Sequence, residues 1–290
     1  MVKIPQTHLL KWARQALLED KAWQDITTQA LPPRSSQGGA VILCQQIGIL
    51  AGGNITKAVF LARDKALHVK NLIREGSPVR PGQKILSIRG SLRSILSAER
   101  TALNFLGHLS GVATLTQRFV TAVKGTGAAV YDTRKTTPGL RVLEKYAVRM
   151  GGGQNHRMDL ADAVLLKDNH LKALRNSGDP VGRLQSLRKN LFKNKVIEME
   201  AQNLNEIWEA IAVEADIILL DNLAPPILKK GLGLVRAARE IRGGKFPQAE
   251  VSGGVTLANI RAIAELGPDR ISSGTLTHSA TGINFNLDLL

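Results

Sequence analysis

The sequence predicts an α/β protein whose C-terminal part is a closed or nearly closed barrel of parallel strands and helices. From about residue 125 onward, short runs of β-branched residues or leucine recur, each ends in a polar residue, and a helix-length segment follows. Parallel neighbours are reached only through a crossover, so this alternation is their pattern. Six such units within roughly 150 residues favour a barrel over an open doubly wound sheet.

The elements follow in order. Leu9 to Leu18 carries apolar residues at helical spacing, whereas Gly39 to Cys44 and Leu67 to Val69 alternate or cluster as strands do. Gly48 to Gly53, with three glycines, is a turn-rich joint. A helix is expected from Ser97 through Leu109. The barrel strands are then Ala128 to Asp132, Ala163 to Lys167, Val196 to Glu200, Asp216 to Asp221, Ala249 to Ser252 and Arg270 to Gly274. Between them, Asn203 stands three residues before Glu206 as a capping-box-like start, and Thr256 opens a helix that Gly267 closes.

Composition narrows the function. The 290 residues hold 39 Lys and Arg against 24 Asp and Glu, a formal charge of +15, so an anionic partner is expected. Aromatic residues make up 4% of the chain, and no zinc-finger spacing, RNA-recognition signature or basic tail accompanies the charge, which argues against nucleic acid. No stretch approaches the ~18 apolar residues of a membrane span. Met1 to Gln6 leads into an amphipathic, acid-bearing segment rather than the apolar run of a signal peptide, so a cytoplasmic location is expected. The single Cys44 excludes an internal disulfide and a multi-cysteine zinc site.

In barrels of this kind the reacting groups gather at the carboxyl ends of the strands. Those ends carry Arg134 and Lys135, Lys167, Glu200, Asp221, Ser252 and Gly274. Thr133-Arg134-Lys135-Thr136-Thr137-Pro138-Gly139 combines two cations with three hydroxyls and a turn. Arginine offers a planar fork matched to carboxylate, and lysine a compact charge suited to phosphate. Gly151-Gly152-Gly153-Gln154-Asn155-His156-Arg157 adds glycines that permit close approach to a ligand, followed by His156 and Arg157. It matches neither a P-loop nor the dinucleotide fingerprint. Glu200 and Asp221 are acids on successive strands, able to hold a divalent ion or sugar hydroxyls. Ser252-Gly253-Gly254 and Gly274-Thr275 offer amides and hydroxyls where barrels commonly bind phosphate.

Taken together, these motifs resemble the quinolinate phosphoribosyltransferase family. The resemblance runs through Asp25-Ile26-Thr27-Thr28, Glu99-Arg100, Ser110-Gly111-Val112-Ala113-Thr114, Thr133-Arg134-Lys135-Thr136, Leu143-Glu144-Lys145-Tyr146-Ala147-Val148 and the Gly151 to Arg157 segment. It continues through Lys167-Asp168-Asn169-His170, Leu220-Asp221-Asn222, Ser252-Gly253-Gly254 and Leu276-Thr277-His278-Ser279. It implies an N-terminal α/β sandwich, residues 1–107 with 277–290, and an incomplete, open α/β barrel, residues 108–276. The implied reaction joins quinolinate to phosphoribosyl pyrophosphate, with Mg²⁺ and no organic cofactor, and releases pyrophosphate and carbon dioxide to leave nicotinate mononucleotide for NAD synthesis. By the same resemblance, Thr133, Arg134, His156, Arg157 and Lys167 bind quinolinate, joined by Arg100 from a neighbouring subunit of a homodimer or larger homo-oligomer. Lys135, Glu200, Asp221, Ser252, Gly253, Gly274 and His278 bind phosphoribosyl pyrophosphate. Glu200 and Asp221 also serve the metal, and Lys135, Lys167, Glu200 and Asp221 are the catalytic set. Gln24, Met199 and Pro268 depart from the family pattern, at none of these contacts.

Other readings stay open at this point. A non-carboxylating nicotinate phosphoribosyltransferase or a molybdenum-transport relative would share the fold but not need a second set of carboxylate-binding cations. A Schiff-base aldolase would use Lys167 and leave Arg134 and Arg157 idle.

Overall fold

The computed structural model describes residues 4–30, 36–176, 178–190, 195–244 and 246–290, so Met1 to Lys3 of the N-terminal segment lie outside it. The chain divides into two compact units, one of residues 1–117, 142–152 and 279–290, the other of residues 118–141 and 153–278.

In the first unit, helices α1 (Gln6–Glu19), α2 (Ile26–Gln29) and α3 (Gly53–Arg63) accompany strands β1 (Gln37–Cys44), β2 (Gly48–Ile49), β3 (His68–Asn71), β4 (Pro78–Val79) and β5 (Lys84–Ser91). A four-stranded antiparallel sheet runs from the C-terminal strand Phe285–Leu289 through β1 and β5 to β3. Leu9, Ala13 and Leu17, spaced at helical intervals along α1, are buried, as are Ile55, Val59 and Phe60 of α3, which α1 packs against. The Gly48 to Gly53 joint contains β2, paired with β4, and then turns into α3 at Gly52 with φ of 99°. Glu75 caps that turn, accepting from the amides of Gly52 at 2.9 Å and Asn54 at 3.0 Å.

The helix expected over Ser97 to Leu109 is longer: α4 covers Leu92–Ala122. It runs past the expected end at Leu109, through Ser110 and Gly111. A side chain at Gly111 would lie 2.3 Å from the Thr281 carbonyl, so glycine is required there by a crossing backbone. Ser110 and Thr114 bond the main chain of Ala51 and Ile49, which fixes the joint against α4. Gly151, just past α5 (Arg141–Met150), likewise faces α4, where a Cβ would lie 2.3 Å from the Ala113 carbonyl. Its missing side chain serves helix packing rather than the ligand approach expected of the glycine triplet.

The second unit holds the six strands expected from the sequence: β6 (Ala129–Tyr131), β7 (Val164–Leu166), β8 (Ile197–Ala201), β9 (Ile217–Asp221), β10 (Gln248–Ser252) and β11 (Arg270–Ser272). All pairings are parallel, in the order β6-β11-β10-β9-β8-β7. That is the circular order of a barrel opened between its first two strands, so the fold is the incomplete barrel rather than a closed one. At the opening, Gln154 forms a parallel bridge with Tyr131, and the amides of Gln154 and Asp132 bond Val130 and Gln154 in turn. A single residue stands where a barrel would carry its next strand.

Helices α6 (Asp168–Arg175), α7 (Pro180–Asn190), α8 (Leu204–Ala212), α9 (Pro225–Ile241), α10 (Ile260–Glu265) and the short α11 (Thr275–His278) follow the strands. Met199, Ala201, Ile218, Leu220, Ala249 and Val251 form one core with Ile207 of α8 and Leu228, Leu232 and Val235 of α9. Burying each larger side chain contributes roughly 2 kcal/mol. Asn203 caps α8, its side chain accepting from the Glu206 amide at 3.0 Å. The helix expected to open at Thr256 begins at Ile260 because residues 257–259 form a turn, in which Asn259 bonds the Thr256 amide; Gly267, at φ 85°, closes it.

Candidate active site

Strand side chains alternate between faces, so the residues between those of the helix-side core point to the barrel interior. Strand register then orders them in layers. Leu165, Glu198, Ile217 and Gln248 share one level, and Glu200, Leu219, Glu250 and Arg270 the next. Asp221, Ser252, Ser272 and Tyr131 form the level nearest the strand ends. The interior is therefore apolar in part and strongly ionic in part, and the ionic part lies toward the carboxyl ends.

Two loops at that end are tied together by the chain itself. Asp132, fully buried after β6, accepts from the His156 amide at 2.8 Å and from Asn155 Nδ2 at 2.6 Å. Arg141 donates from Nε to Thr136 Oγ1 at 3.1 Å and from a terminal nitrogen to the Met158 carbonyl. The Thr133 hydroxyl accepts from the Lys135 amide at 3.0 Å, forming a small turn. These bonds hold the Arg134 loop beside the His156-Arg157 segment, and neither Asp132 nor Arg141 was singled out from the sequence.

Arg134 and Arg157 emerge with their Nε atoms buried and without a hydrogen-bond partner among the described residues. Arg157 keeps one bond, from a terminal nitrogen to the Ala163 carbonyl at 3.0 Å. Burial, and then the neighbouring Arg134 charge, hold the Arg157 guanidinium below its usual pKa. Two guanidiniums that repel each other and keep unused donors form a site for an anion.

Lys167 and Glu200 meet, Nζ to Oε2, at 3.4 Å, the lysine half exposed and the glutamate buried. His170, in the same motif as Lys167, turns its Nδ1 to the Lys167 amide at 3.1 Å, a bond that starts α6. Asp221 ends β9 opposite Ser252 of β10. Gly253, at φ 87°, has room for no side chain, since a Cβ would stand 2.7 Å from the Asn222 nitrogen. The Asn222 amide bonds the Ser252 carbonyl at 3.0 Å, so the Asp221 and Ser252 loops are locked together. On the next strand, a Cβ at Gly274 would lie 2.9 Å from Lys135 Cδ and 3.1 Å from the His278 ring, and the Thr277 hydroxyl donates to the Lys135 carbonyl at 2.7 Å. Lys135, Gly274 and His278 are thus brought together. Arg100 belongs to the first unit, exposed on α4.

His156 does not stand free toward solvent. Its Nδ1 accepts from the Arg157 amide at 2.8 Å, and its Nε2 lies 2.9 Å from Glu198 Oε2 and 3.5 Å from Glu250 Oε1. Glu250 in turn lies 3.8 Å from Arg270, which bonds Gln248 at 2.8 Å and rests over the Tyr131 ring. Burial, and then the Glu198 charge beside it, push the Glu250 carboxyl from an ordinary 4.5 up to about 7. Neither glutamate was read as part of the site. The available signal was spacing: Glu198 stands two residues before Glu200, and Glu250 two before Ser252, on the same strand faces.

Residues 112–288 match the family described as quinolinate phosphoribosyl transferase, C-terminal domain, and residues 25–110 match its N-terminal domain. The chain is 41% identical over 262 residues to the probable nicotinate-nucleotide pyrophosphorylase (carboxylating) of Synechocystis sp., covering 90% of this chain and 86% of that one. It is 38% identical to the nicotinate-nucleotide pyrophosphorylase (carboxylating) of Mycobacterium leprae, covering 95% of each. The solved structure of the nicotinate-nucleotide pyrophosphorylase from Francisella tularensis aligns with a TM-score of 0.88 at 37% identity, over 99% of this chain and 98% of that one. No helix among the described residues is long and apolar enough to cross a membrane.

Proposed function

Since this chain belongs to the quinolinate phosphoribosyltransferase family, we propose that it transfers the phosphoribosyl group of phosphoribosyl pyrophosphate to quinolinate, releasing pyrophosphate and carbon dioxide and leaving nicotinate mononucleotide for NAD synthesis. The observation that carries this reading is the pair of mutually repelling guanidiniums, Arg134 and Arg157, each with a buried, unpartnered Nε among the described residues. A substrate with two adjacent carboxylates offers four acceptor oxygens, enough to take those donors and neutralise both charges. A substrate with one carboxylate leaves one guanidinium uncompensated.

On this reading Thr133, Arg134, His156, Arg157 and Lys167 form the quinolinate side of the site. Lys135, Ser252, Gly253, Gly274 and His278 receive the phosphates, where Lys135 and His278 already converge on Gly274. Glu200 and Asp221 face the ribose. The pyridine nitrogen attacks the anomeric carbon as pyrophosphate leaves, and the positive charge that develops on the sugar is stabilised by these two carboxylates. Lys167 neutralises Glu200 in the resting site, so arrival of a quinolinate carboxylate at Lys167 releases Glu200 toward the sugar. Once the nitrogen is ribosylated, its charge accepts the electron pair left by the departing carboxylate, and a proton replaces it.

The donor set also suits Mg²⁺, which binds hard oxygen ligands through one or two carboxylates together with substrate phosphates. Glu200 and Asp221 would hold it, and when bound it neutralises charge on the pyrophosphate. The reading extends to a cytoplasmic homodimer or larger homo-oligomer in which Arg100, exposed on α4, completes a partner's site.

The test is direct. Quinolinate, phosphoribosyl pyrophosphate and Mg²⁺ are incubated with the protein, and nicotinate mononucleotide and carbon dioxide are measured. Equal amounts of both are expected. Turnover of nicotinate in place of quinolinate would sink the assignment.

A further inference from the structure

Around His156, the residues Glu198, Glu250 and Arg270 have no role in the reaction just described, yet the two glutamates occupy the barrel interior at 2% and 0% exposure. Three of their oxygens, Glu198 Oε1 and both of Glu250, are buried without a hydrogen-bond partner among the described residues. Buried carboxylates are costly unless they hold something in place. Their atoms and His156 lie within 4.8 Å of one another, a spacing that would also fit a metal ion.

The protons on the imidazole decide between these uses. Nδ1 accepts the Arg157 N–H, so it bears no hydrogen, and the neutral ring must carry its hydrogen on Nε2. A metal on Nε2 would need the opposite tautomer, whose Nδ1–H would point at the Arg157 N–H. The ring therefore donates from Nε2 to Glu198, and the group acts as a clamp.

We propose that Glu198 and Glu250 are positioning residues for quinolinate, which hold the His156 ring and through it the Arg157 main chain at the open seam of the barrel. The seam explains why a clamp is needed there. Between β6 and β7 the described residues form no strand ladder; the Gln154 to Arg157 segment meets β6 through the Gln154 bridge and the Asp132 bonds on one side. Glu198 on β8 and Glu250 on β10 reach across the interior and fix the other side. Glu250 passes the support on to Arg270 of β11, which is itself held by Gln248 and stacked on Tyr131 of β6. Both ring nitrogens are occupied, so His156 serves quinolinate by aiming Arg157. This deepens the proposed function and depends on it for the identity of the substrate.

Steady-state kinetics on four variants, Glu198→Ala, Glu198→Gln, Glu250→Ala and Glu250→Gln, test the clamp. Glu198→Ala is expected to raise the KM for quinolinate ~10-fold, the effect of losing about one hydrogen bond that orients a charged group, with the KM for phosphoribosyl pyrophosphate nearly unchanged. Glu198→Gln keeps an oxygen for the Nε2 hydrogen and should restore most of the loss. Glu250→Ala should act in the same direction and Glu250→Gln be rescued likewise. Equal changes in both KM values, or a glutamine variant as impaired as the alanine one, would overturn the proposal. Nitrogen-15 NMR of histidine in the parent protein provides a second measurement that needs no alanine variant to fold. The His156 signals, assigned with His156→Gln, should show a bare Nδ1 and a protonated Nε2. The reverse tautomer, or Zn²⁺ retained through chelator dialysis and lost in Glu250→Ala, would refute the clamp. If the protein fails to convert quinolinate, the proposed function falls, and the tautomer measurement still judges the clamp.

Discussion

A Glu250→Gln variant is expected to match the parent chain in stability near pH 4.5 and to exceed it by about 3 kcal/mol near pH 8. The magnitude follows from burial. Raising a carboxyl from 4.5 to about 7 corresponds, at ~1.4 kcal/mol for each pH unit, to about 3 kcal/mol of penalty on the charged form. The sign follows from proton uptake. Below pH 4.5 the folded and unfolded chains both hold the proton. Between 4.5 and about 7 the unfolded chain has released it and the folded chain keeps it, so rising pH favours unfolding across that window. Above it the penalty is constant. Because Glu198 lies beside Glu250, the proton belongs to the pair, and the window describes loss of the pair's last proton. Glutamine has no proton to lose and keeps the shape of the protonated acid. Urea denaturation of both proteins at half-unit steps from pH 4.5 to 8 gives the difference in stability, in which contributions from groups remote from Glu250 cancel. A difference that stays flat across the range would show that Glu250 is not protonated in the folded chain at neutral pH and would refute the reasoning.

Arg157→Ala and Lys167→Ala are each expected to abolish phosphoribosyl transfer while far-UV circular dichroism and the thermal midpoint stay close to those of the parent; full turnover in either removes that residue from the site. Arg134→Lys keeps the charge and loses the planar fork, so the KM for quinolinate should rise ~10-fold or more with kcat less affected. An unchanged KM would mean that Arg134 does not bind a carboxylate in two-point fashion. Gly253→Ala forces a side chain into a conformation at φ 87° against the Asn222 backbone, and should cost roughly 1–3 kcal/mol in urea denaturation and raise the KM for phosphoribosyl pyrophosphate. A variant as stable as the parent would show that the Ser252 loop relaxes freely.

The barrel was legible because its information is local. Each strand is a short apolar run with a polar terminator, such as Asp221 or Ser252, at its carboxyl end, where the candidate site lies. Arg134, Lys135 and Lys167 were visible for the same reason, since cations at equivalent strand ends repeat. The first sheet was harder to read. Ala40 pairs with Leu289 and Ile88, partners that no periodicity near Ala40 can announce. The length of α4 escaped notice because Ser110 and Gly111 carry the marks of a helix end, and only the Thr281 carbonyl crossing at Gly111 explains why a glycine sits mid-helix. Glu198 and Glu250 were passed over because acids inside a strand look like ordinary alternation. Their meaning depends on His156, which arrives beside them from a segment that is not a strand of the sheet.

The order of strands also governs when the molecule can be finished. From β7 to β11 every strand pairs with its successor in sequence, so this part of the sheet can grow step by step as the chain leaves the ribosome. β6 is different: Ala129 must wait for Arg270. In the other unit, β1 must wait for the strand Phe285–Leu289. Closing such long loops costs only modestly more entropy than closing short ones, but the closure cannot begin before the partner exists. A nascent chain that has not yet reached Arg270 therefore holds uncovered edges at β6 and β10 in one unit and at β1 in the other, and all three are covered by the strands between Arg270 and Leu289. Until then these edges are the places where an incomplete chain is able to pair with another copy of itself.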